Sequence, residues 1–472
     1  MFRAAFLILS GNAFASLLLL ARNLIVARLI PVADYGIAAT FAVIMAVVEM
    51  MSTLGLQQQI IQAKEGDDPH FQAALQGFQL LRGVIAGVAL FAIAGPVAQF
   101  MGIPEVIWAY QLLAVVPVLN ALIHFDIHRL NRSMVFGPMI LTGAIPALVS
   151  LLVVWPLAAW LGDYRVMLFS ILLQAALGAV TSHLVATRPY RAVLDRQIMG
   201  RSLRFGWPIL VNGLLMFLVF NGDKAIVGRE LGMETLAIFA MGVTLTLTPT
   251  LVLAKSTASL FLPQLSEAGL GASGEFNHRA VVTLQAVLAM SLLVVCGTIL
   301  LGPPFVHLLL GEKYADLLPL LGWFAIMQAL RVFKAGPAIV ALATGHTSNP
   351  MIANIPRVLV LPLCWYVAAH SGDIFMIIWI ATLGEFAGYL VAMLLLRRWV
   401  ALSQRGIALP HLAAAILLLA AALCLQLTTA TLSYLPDVRV TLVLLVLYAL
   451  NLASQRELFL YIRHRKTTGA SG

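Results

Sequence analysis

Apolar residues run along this chain in stretches of about twenty, separated by short polar breaks, over almost its whole length. An α-helix needs about 20 apolar residues to cross roughly 30 Å of hydrocarbon, so each such run predicts a transmembrane helix. Fourteen runs fit, at residues 6–30, 36–56, 75–98, 106–127, 135–161, 166–186, 206–228, 236–262, 280–301, 317–343, 351–369, 374–396, 412–432 and 440–461. The expected fold class is therefore all-α, a polytopic membrane protein of about 14 transmembrane helices. Arg3 and the Ala13-Phe14-Ala15 triplet imitate a secretory cleavage site. The apolar stretch continues from Leu17 to Ile30, so the first run reads as a full span.

Composition sharpens this picture. Of 472 residues, 61% are hydrophobic and 10% charged, against about 45–50% and about 25% in soluble domains. A soluble fold is excluded. The 35 Gly and 21 Pro are spread through the apolar runs, as membrane helices tolerate. The longest connections, Gln57 to Ala74, Thr187 to Phe205 and Pro263 to Arg279, are too short for a catalytic domain. No G-x-x-x-x-G-K-[ST] motif is present, which excludes ATP hydrolysis by a phosphate-cradling loop. Cys296, Cys364 and Cys424 lie inside apolar runs without CxxC spacing and read as packing residues. No catalytic residue, metal, cofactor or nucleic-acid partner is expected.

The net charge of +9 matters through its distribution. With the N-terminus inside, seventeen Lys and Arg fall in cytoplasmic segments, against Arg165, Arg229, Lys313 and Arg439 outside. The positive-inside rule then predicts cytoplasmic N- and C-termini, in a bacterial inner membrane. The basic stretch Arg188 to Arg204, with Leu194, Ile198 and Leu203 between its charges, reads as an interfacial helix on anionic lipid or as a plain basic loop.

An internal match appears at an offset of 201, where Ala27-Arg28-Leu29-Ile30-Pro31 through Ile37 aligns with Gly228-Arg229-Glu230-Leu231-Gly232 through Ile238. Six spans separate the copies. An even number gives both halves one orientation, related by an axis along the membrane normal. The expected domains are a lobe at 1–186, an interfacial linker at 187–205, a second lobe at 206–400, and two further helices with a basic tail at 401–472.

Eight basic side chains remain within spans: Arg22, Arg28, Arg82, Lys224, Lys255, Arg331, Lys334 and Arg357. Acids at similar depth are Glu49, Asp223 and Glu385, with Asp126 near a span end. Each charge near the bilayer centre costs about 2.5–3.5 kcal/mol, so most must face a hydrated interior or a partner, while Arg28 and Lys224 could also snorkel to an interface. Gln328, Arg331 and Lys334 share one helix face, as do Thr244, Thr248, Lys255 and Ser259, and Gln72, Gln76, Gln79 and Arg82. Asn354 pairs with Arg357, and Thr382 and Glu385 with Tyr389. These seams suggest a shared polar cavity, with interhelical polar packing the alternative for the Thr, Gln and Asn members. A cationic cavity attracts an anion, and the planar fork of arginine suits phosphate.

The stretch from Asn23 to Ile37 (NLIVARLIPVADYGI) and that from Leu54 to Gln62 (LGLQQQIIQ) resemble the opening of the polysaccharide transporter family. These are the bacterial O-antigen and exopolysaccharide flippases, grouped with multidrug and toxin extrusion transporters and lipid II flippases. Asn221-Gly222-Asp223-Lys224 is also similar to the family. The resemblance implies a V-shaped, two-lobed transporter that moves undecaprenyl-diphosphate-linked oligosaccharide across the membrane for surface polysaccharide synthesis. Its partners would be the polyprenyl-diphosphate cargo, membrane lipid, and a polysaccharide polymerase with export machinery. Arg28 and Asp34 match the family motif at the first turn, whereas Thr235 stands where the second turn would carry an acid. Arg331 and Arg357 match no motif and rest on charge and spacing. The residues expected at the diphosphate are Arg22, Arg28, Arg82, Lys255, Arg331, Lys334 and Arg357. Glu49, Asp223 and Glu385 are candidates for ion coupling or charge pairing. A cation-coupled multidrug exporter of the same architecture is the alternative, and a membrane glycan polymerase or ligase a weaker one.

Overall fold

The computed structural model describes residues 2–52, 54–268, 273–400, 402, 404–428 and 437–469. Those residues form α-helices, two 3-10 turns and connections, with no strand among them. The chain divides into two compact units, Met1–Ala237 and Ile238–Gly472. The first holds α1 (Phe2–Leu29), α2 (Val32–Ser52), α3 (Leu56–Gln62), α4 (Pro69–Phe100), α5 (Ile107–Leu113), α6 (Val115–Ala121), α7 (Asp126–Arg132), α8 (Gly137–Leu161), α9 (Arg165–Val185) and α10 (Arg196–Glu230). The boundary falls within α11 (Gly232–Ala268). The second unit continues with α12 (Ser273–Leu310), α13 (Leu318–Ala343), α14 (Ser348–Leu359), α15 (Leu361–Ser371), α16 (Ile374–Trp399), α17 (Gln404–Thr428), α18 (Val438–Ser454) and α19 (Arg456–Gly469).

Every predicted run falls on a helix or a broken helix pair. Among the described residues, eleven such elements are long and apolar enough to cross a membrane, and Val32–Val48 and Val438–Ser454 are shorter apolar helices. Their outward faces are apolar: Trp160 is 80% exposed, Leu419 71% and Leu301 69%. So much apolar surface suits contact with lipid and not water. Helices α10, α11 and α12 run to 35, 37 and 38 residues. An apolar window marks only the part inside hydrocarbon, and no stop signal ends these helices at its edge. The basic stretch after α9 correspondingly divides. Residues 186–195 are non-helical, and Arg196 opens α10, whose N-terminus Asp195 caps through Gln197 N–H at 2.9 Å and Ile198 N–H at 3.1 Å.

The two repeated turns touch. A Cβ on Gly36 would lie 1.8 Å from the Met233 carbonyl oxygen, so only glycine permits this approach of α2 to the start of α11. In the second unit α13 is the most enclosed span, packed on α12 and α16, with α14 also lying on α16.

Candidate functional site

Helices α13, α14 and α16 bring four charged side chains together inside the second unit. Arg331 and Lys334 sit three residues apart on α13, hence on one face. Arg357 lies in the last turn of α14, just before a break at Val360, where Pro362 can donate no backbone hydrogen bond. Glu385 lies in the middle of α16, between Gly384 and Gly388. Those glycines set the geometry. A Cβ on Gly388 would sit 2.3 Å from the Ala353 carbonyl oxygen, and one on Gly384 would sit 3.2 Å from the Arg357 Cα. The G-x-x-x-G spacing thus lets α14 approach α16 backbone to backbone and seats Arg357 against Glu385. That motif, Gly384-Glu385-Phe386-Ala387-Gly388, is visible in the sequence but carries no charge of its own, and a search for polar seams passes over it.

Glu385 is the hub. Its Oε1 accepts from Arg331 Nη2 at 2.6 Å and Nε at 2.8 Å, and lies 3.5 Å from Arg357 Nε. Its Oε2 lies 2.6 Å from Lys334 Nζ. Glu385 and Arg357 are fully buried, and Arg331, at 10% side-chain exposure, is the most accessible of the four. Lys334 also donates to Asn354 Oδ1 at 2.7 Å. The Asn354 amide is turned that way because its Nδ2 donates to the Pro350 carbonyl at 2.9 Å. Gln328 Oε1 accepts from Arg331 Nη1 at 3.1 Å. Three cations around one carboxylate leave this group of four with a formal charge of +2. Such a group attracts an anion and repels a cation.

The other expected site residues lie elsewhere. Arg22 is buried on α1 and donates to Gln174 Oε1 of α9 at 2.6 Å. Arg82 is half-buried on α4, Arg28 is exposed in the last turn of α1, and Asp223 is buried on α10. Lys255 is exposed on α11. The side chain of Glu49 lies outside the described residues.

Two expected cavity seams have other uses. Gln76 Nε2 donates to the Ala121 and Ile123 carbonyls at 3.2 and 3.3 Å, and Gln79 Nε2 does so at 3.1 and 3.2 Å. Gln76 Oε1 accepts from Phe125 N–H at 2.8 Å. The fourth span is broken between α5 and α6 and ends at Ala121, and the glutamines satisfy the backbone groups freed there. On α11, Thr244 and Thr248 donate to the carbonyls four residues back, at 2.7 and 2.9 Å. An apolar recess of about 320 Å³ between α11 and α12, lined by Leu245, Pro249, Leu293, Gly297 and Phe305 among others, holds no charged group. Among the described residues no three His, Cys, Asp or Glu converge as a metal site requires.

Asp126 lies beyond the span Pro104–Ala121 and binds the loop after α9. It accepts from Arg129 Nε at 2.6 Å, Thr187 N–H at 2.8 Å and Arg188 N–H at 3.2 Å. Burial pushes its carboxyl up, but the bonds from Arg129 and Thr187 outweigh burial and hold it at about 2. Burial holds the neighbouring His128 down at about 4.

A helical membrane protein in two compact units, with charges gathered inside its spans, has close structural counterparts. An inward-facing multidrug-resistance MATE family transporter of the MOP superfamily superposes with a TM-score of 0.69 at 16% identity, covering 82% of this chain and 94% of that one. The lipid II flippase MurJ in an inward-closed conformation gives 0.70 at 14% identity, covering 98% and 100%. The fold is therefore that of the MOP superfamily of membrane transporters. The chain belongs to the polysaccharide biosynthesis protein family, whose model matches residues 25–319. It is also similar to the teichuronic acid biosynthesis protein TuaB of Bacillus subtilis (strain 168), with 21% identity over 366 residues, 74% of this chain and 72% of that protein.

Proposed function

We propose that this protein is a flippase that carries polyprenyl-diphosphate-linked oligosaccharide from the inner to the outer leaflet by alternating access, with no enzymatic step of its own. The observation that carries the reading is the +2 cluster of Arg331, Lys334, Arg357 and Glu385 within the spans of a MOP-type fold. A diphosphate group is a strong, multidentate anion that guanidinium and ammonium groups recognise well. Membership of a polysaccharide biosynthesis family supports a glycan as the rest of the cargo. Arg22, Arg28, Arg82 and Lys255 are secondary cationic positions along the path, and Glu385 acts as a charge partner of the cluster. Asp223 and Glu49 remain candidates for ion coupling.

The positive-inside asymmetry supports cytoplasmic termini and the bacterial inner membrane, with a polysaccharide polymerase acting downstream. The halves that alternate are residues 1–186 and 206–400, joined through 187–205 and followed by two further helices. The experiment is export of surface polysaccharide in cells that depend on this chain. Arg331→Ala with Lys334→Ala should stop export and accumulate lipid-linked glycan while folded protein persists in the membrane. Normal surface polymer would overturn the assignment. Drug efflux with an unaltered lipid-linked glycan pool would favour a multidrug exporter instead, a cargo class that the cationic cluster disfavours.

A further inference from the structure

The cluster is short of hydrogen-bond acceptors. Gln328 is fully buried on α13, and with its Oε1 taken by Arg331 its buried Nε2 has no acceptor within reach among the described residues. Tyr389 lies one turn after Glu385 on the same face of α16 and is 7% exposed. Side chains on a helix lean toward its N-terminus, so Tyr389 leans back over the Glu385 turn. Its ring lies 5.7 Å from that of Phe333, the neighbour of Lys334, and 6.0 Å from that of His411. Its buried hydroxyl has no partner among the described residues. Lys334 adds a third source, since two of its three N–H groups are used, by Glu385 and Asn354. Buried polar groups are nearly always satisfied in native proteins, and one left without a partner calls for a role.

We propose that Gln328 and Tyr389 are ligand-binding donors which, with Arg331 and Lys334, form a subsite for a polyoxyanion of the phosphoryl or diphosphoryl class. The side-chain amide, the phenol and the remaining ammonium proton suit an anion that offers several oxygen acceptors at once. Glu385 accepts from the cations while the subsite is empty and keeps them in place. The proposal rests on the transport reading for the identity of the cargo, and names the chemistry recognised at the same site.

The test is thermal unfolding of the purified full chain in detergent, titrated with inorganic pyrophosphate against chloride at matched ionic strength. Pyrophosphate should raise the wild-type transition in a saturable way, and Arg331→Met with Lys334→Met should abolish the shift. Gln328→Met and Tyr389→Phe should unfold no earlier than wild type without ligand, because each deletes a buried donor that lacks an acceptor. Each should weaken pyrophosphate binding by roughly tenfold, as expected for a hydrogen bond to a charged group. Wild-type pyrophosphate affinity in either variant overturns the role of that donor. A lowered transition without ligand, at unchanged affinity, marks a structural role and also overturns it. If pyrophosphate fails to stabilise the wild type while Arg331→Ala with Lys334→Ala still stops export, the subsite falls and the flippase assignment stands. Saturable pyrophosphate binding with intact export in that double variant has the reverse meaning.

Discussion

Replacing Glu385 by leucine removes the one carboxylate that three buried cations share. At an effective dielectric constant of about 20, the two contacts at 2.6 Å are worth roughly 6 kcal/mol each and the contact at 3.5 Å roughly 5 kcal/mol of gross attraction. Most of that offsets the cost of burying four charges and the repulsion among the cations. Removing one partner of a buried ion pair costs about 3–5 kcal/mol, because the remaining charge stays buried. With three cations left behind, Glu385→Leu should fall at the upper end of that range and lower the apparent unfolding temperature in detergent by on the order of 10 °C. Replacing a whole buried ionic group by apolar residues of similar volume is often neutral. Glu385→Leu combined with Arg331→Met, Lys334→Met and Arg357→Leu should therefore recover most of the lost stability, while glycan export stays absent. This contrast separates a cluster kept for transport from one kept for folding. The reasoning fails if Glu385→Leu unfolds within a degree or two of wild type, or if the quadruple variant is no more stable than the single one.

Gly388→Ala should force α14 away from α16, since the new Cβ would meet the Ala353 carbonyl at 2.3 Å. The expected loss is about 1–3 kcal/mol, whereas Gly178→Ala, with nothing within 4 Å of its added carbon, should be neutral or stabilising by about 0.5–1 kcal/mol. Comparing the two melting curves checks the close approach. Gln76→Leu should cost about 2–3 kcal/mol, because Phe125 N–H loses its buried acceptor. Gln79→Leu should cost less, because Gln76 still donates to the same two carbonyls. His128 contributes a pH dependence. Its folded-state value of about 4 lies below the ordinary 6.5, so between those values the unfolded chain takes up a proton that the folded chain refuses. Stability should fall by about 3 kcal/mol as pH drops from about 6.5 to about 4 and level off below. His128→Leu should flatten unfolding curves across that window, and an unchanged slope would show that another group titrates there.

The spans were legible in the sequence because a bilayer imposes a simple filter. An apolar run of about twenty residues has few folded alternatives, so Leu75 to Ala98 or Ile374 to Leu396 declares itself without any knowledge of neighbours. Charges within those runs were equally visible, because each is costly enough to be rare. Three-residue spacing also placed Arg331 with Lys334 on one helix face. What spacing cannot supply is the partner across a helix interface. The Gln72–Gln79 stripe and the Arg331–Lys334 stripe look alike in the sequence, yet Gln76 and Gln79 close the broken end of α6, while Arg331 and Lys334 converge on Glu385. The difference depends on which helix lies opposite. In the second unit that is decided by two glycines carrying no charge, Gly384 and Gly388, which allow α14 to come close enough for Arg357 to reach Glu385. Hydrophobic length and charge scarcity are properties of one segment, so the sequence alone determined the membrane class, the spans and the candidate charges. Ion pairing and capping are properties of two or three segments at ångström distances, so only the tertiary structure decided which of those charges form a site.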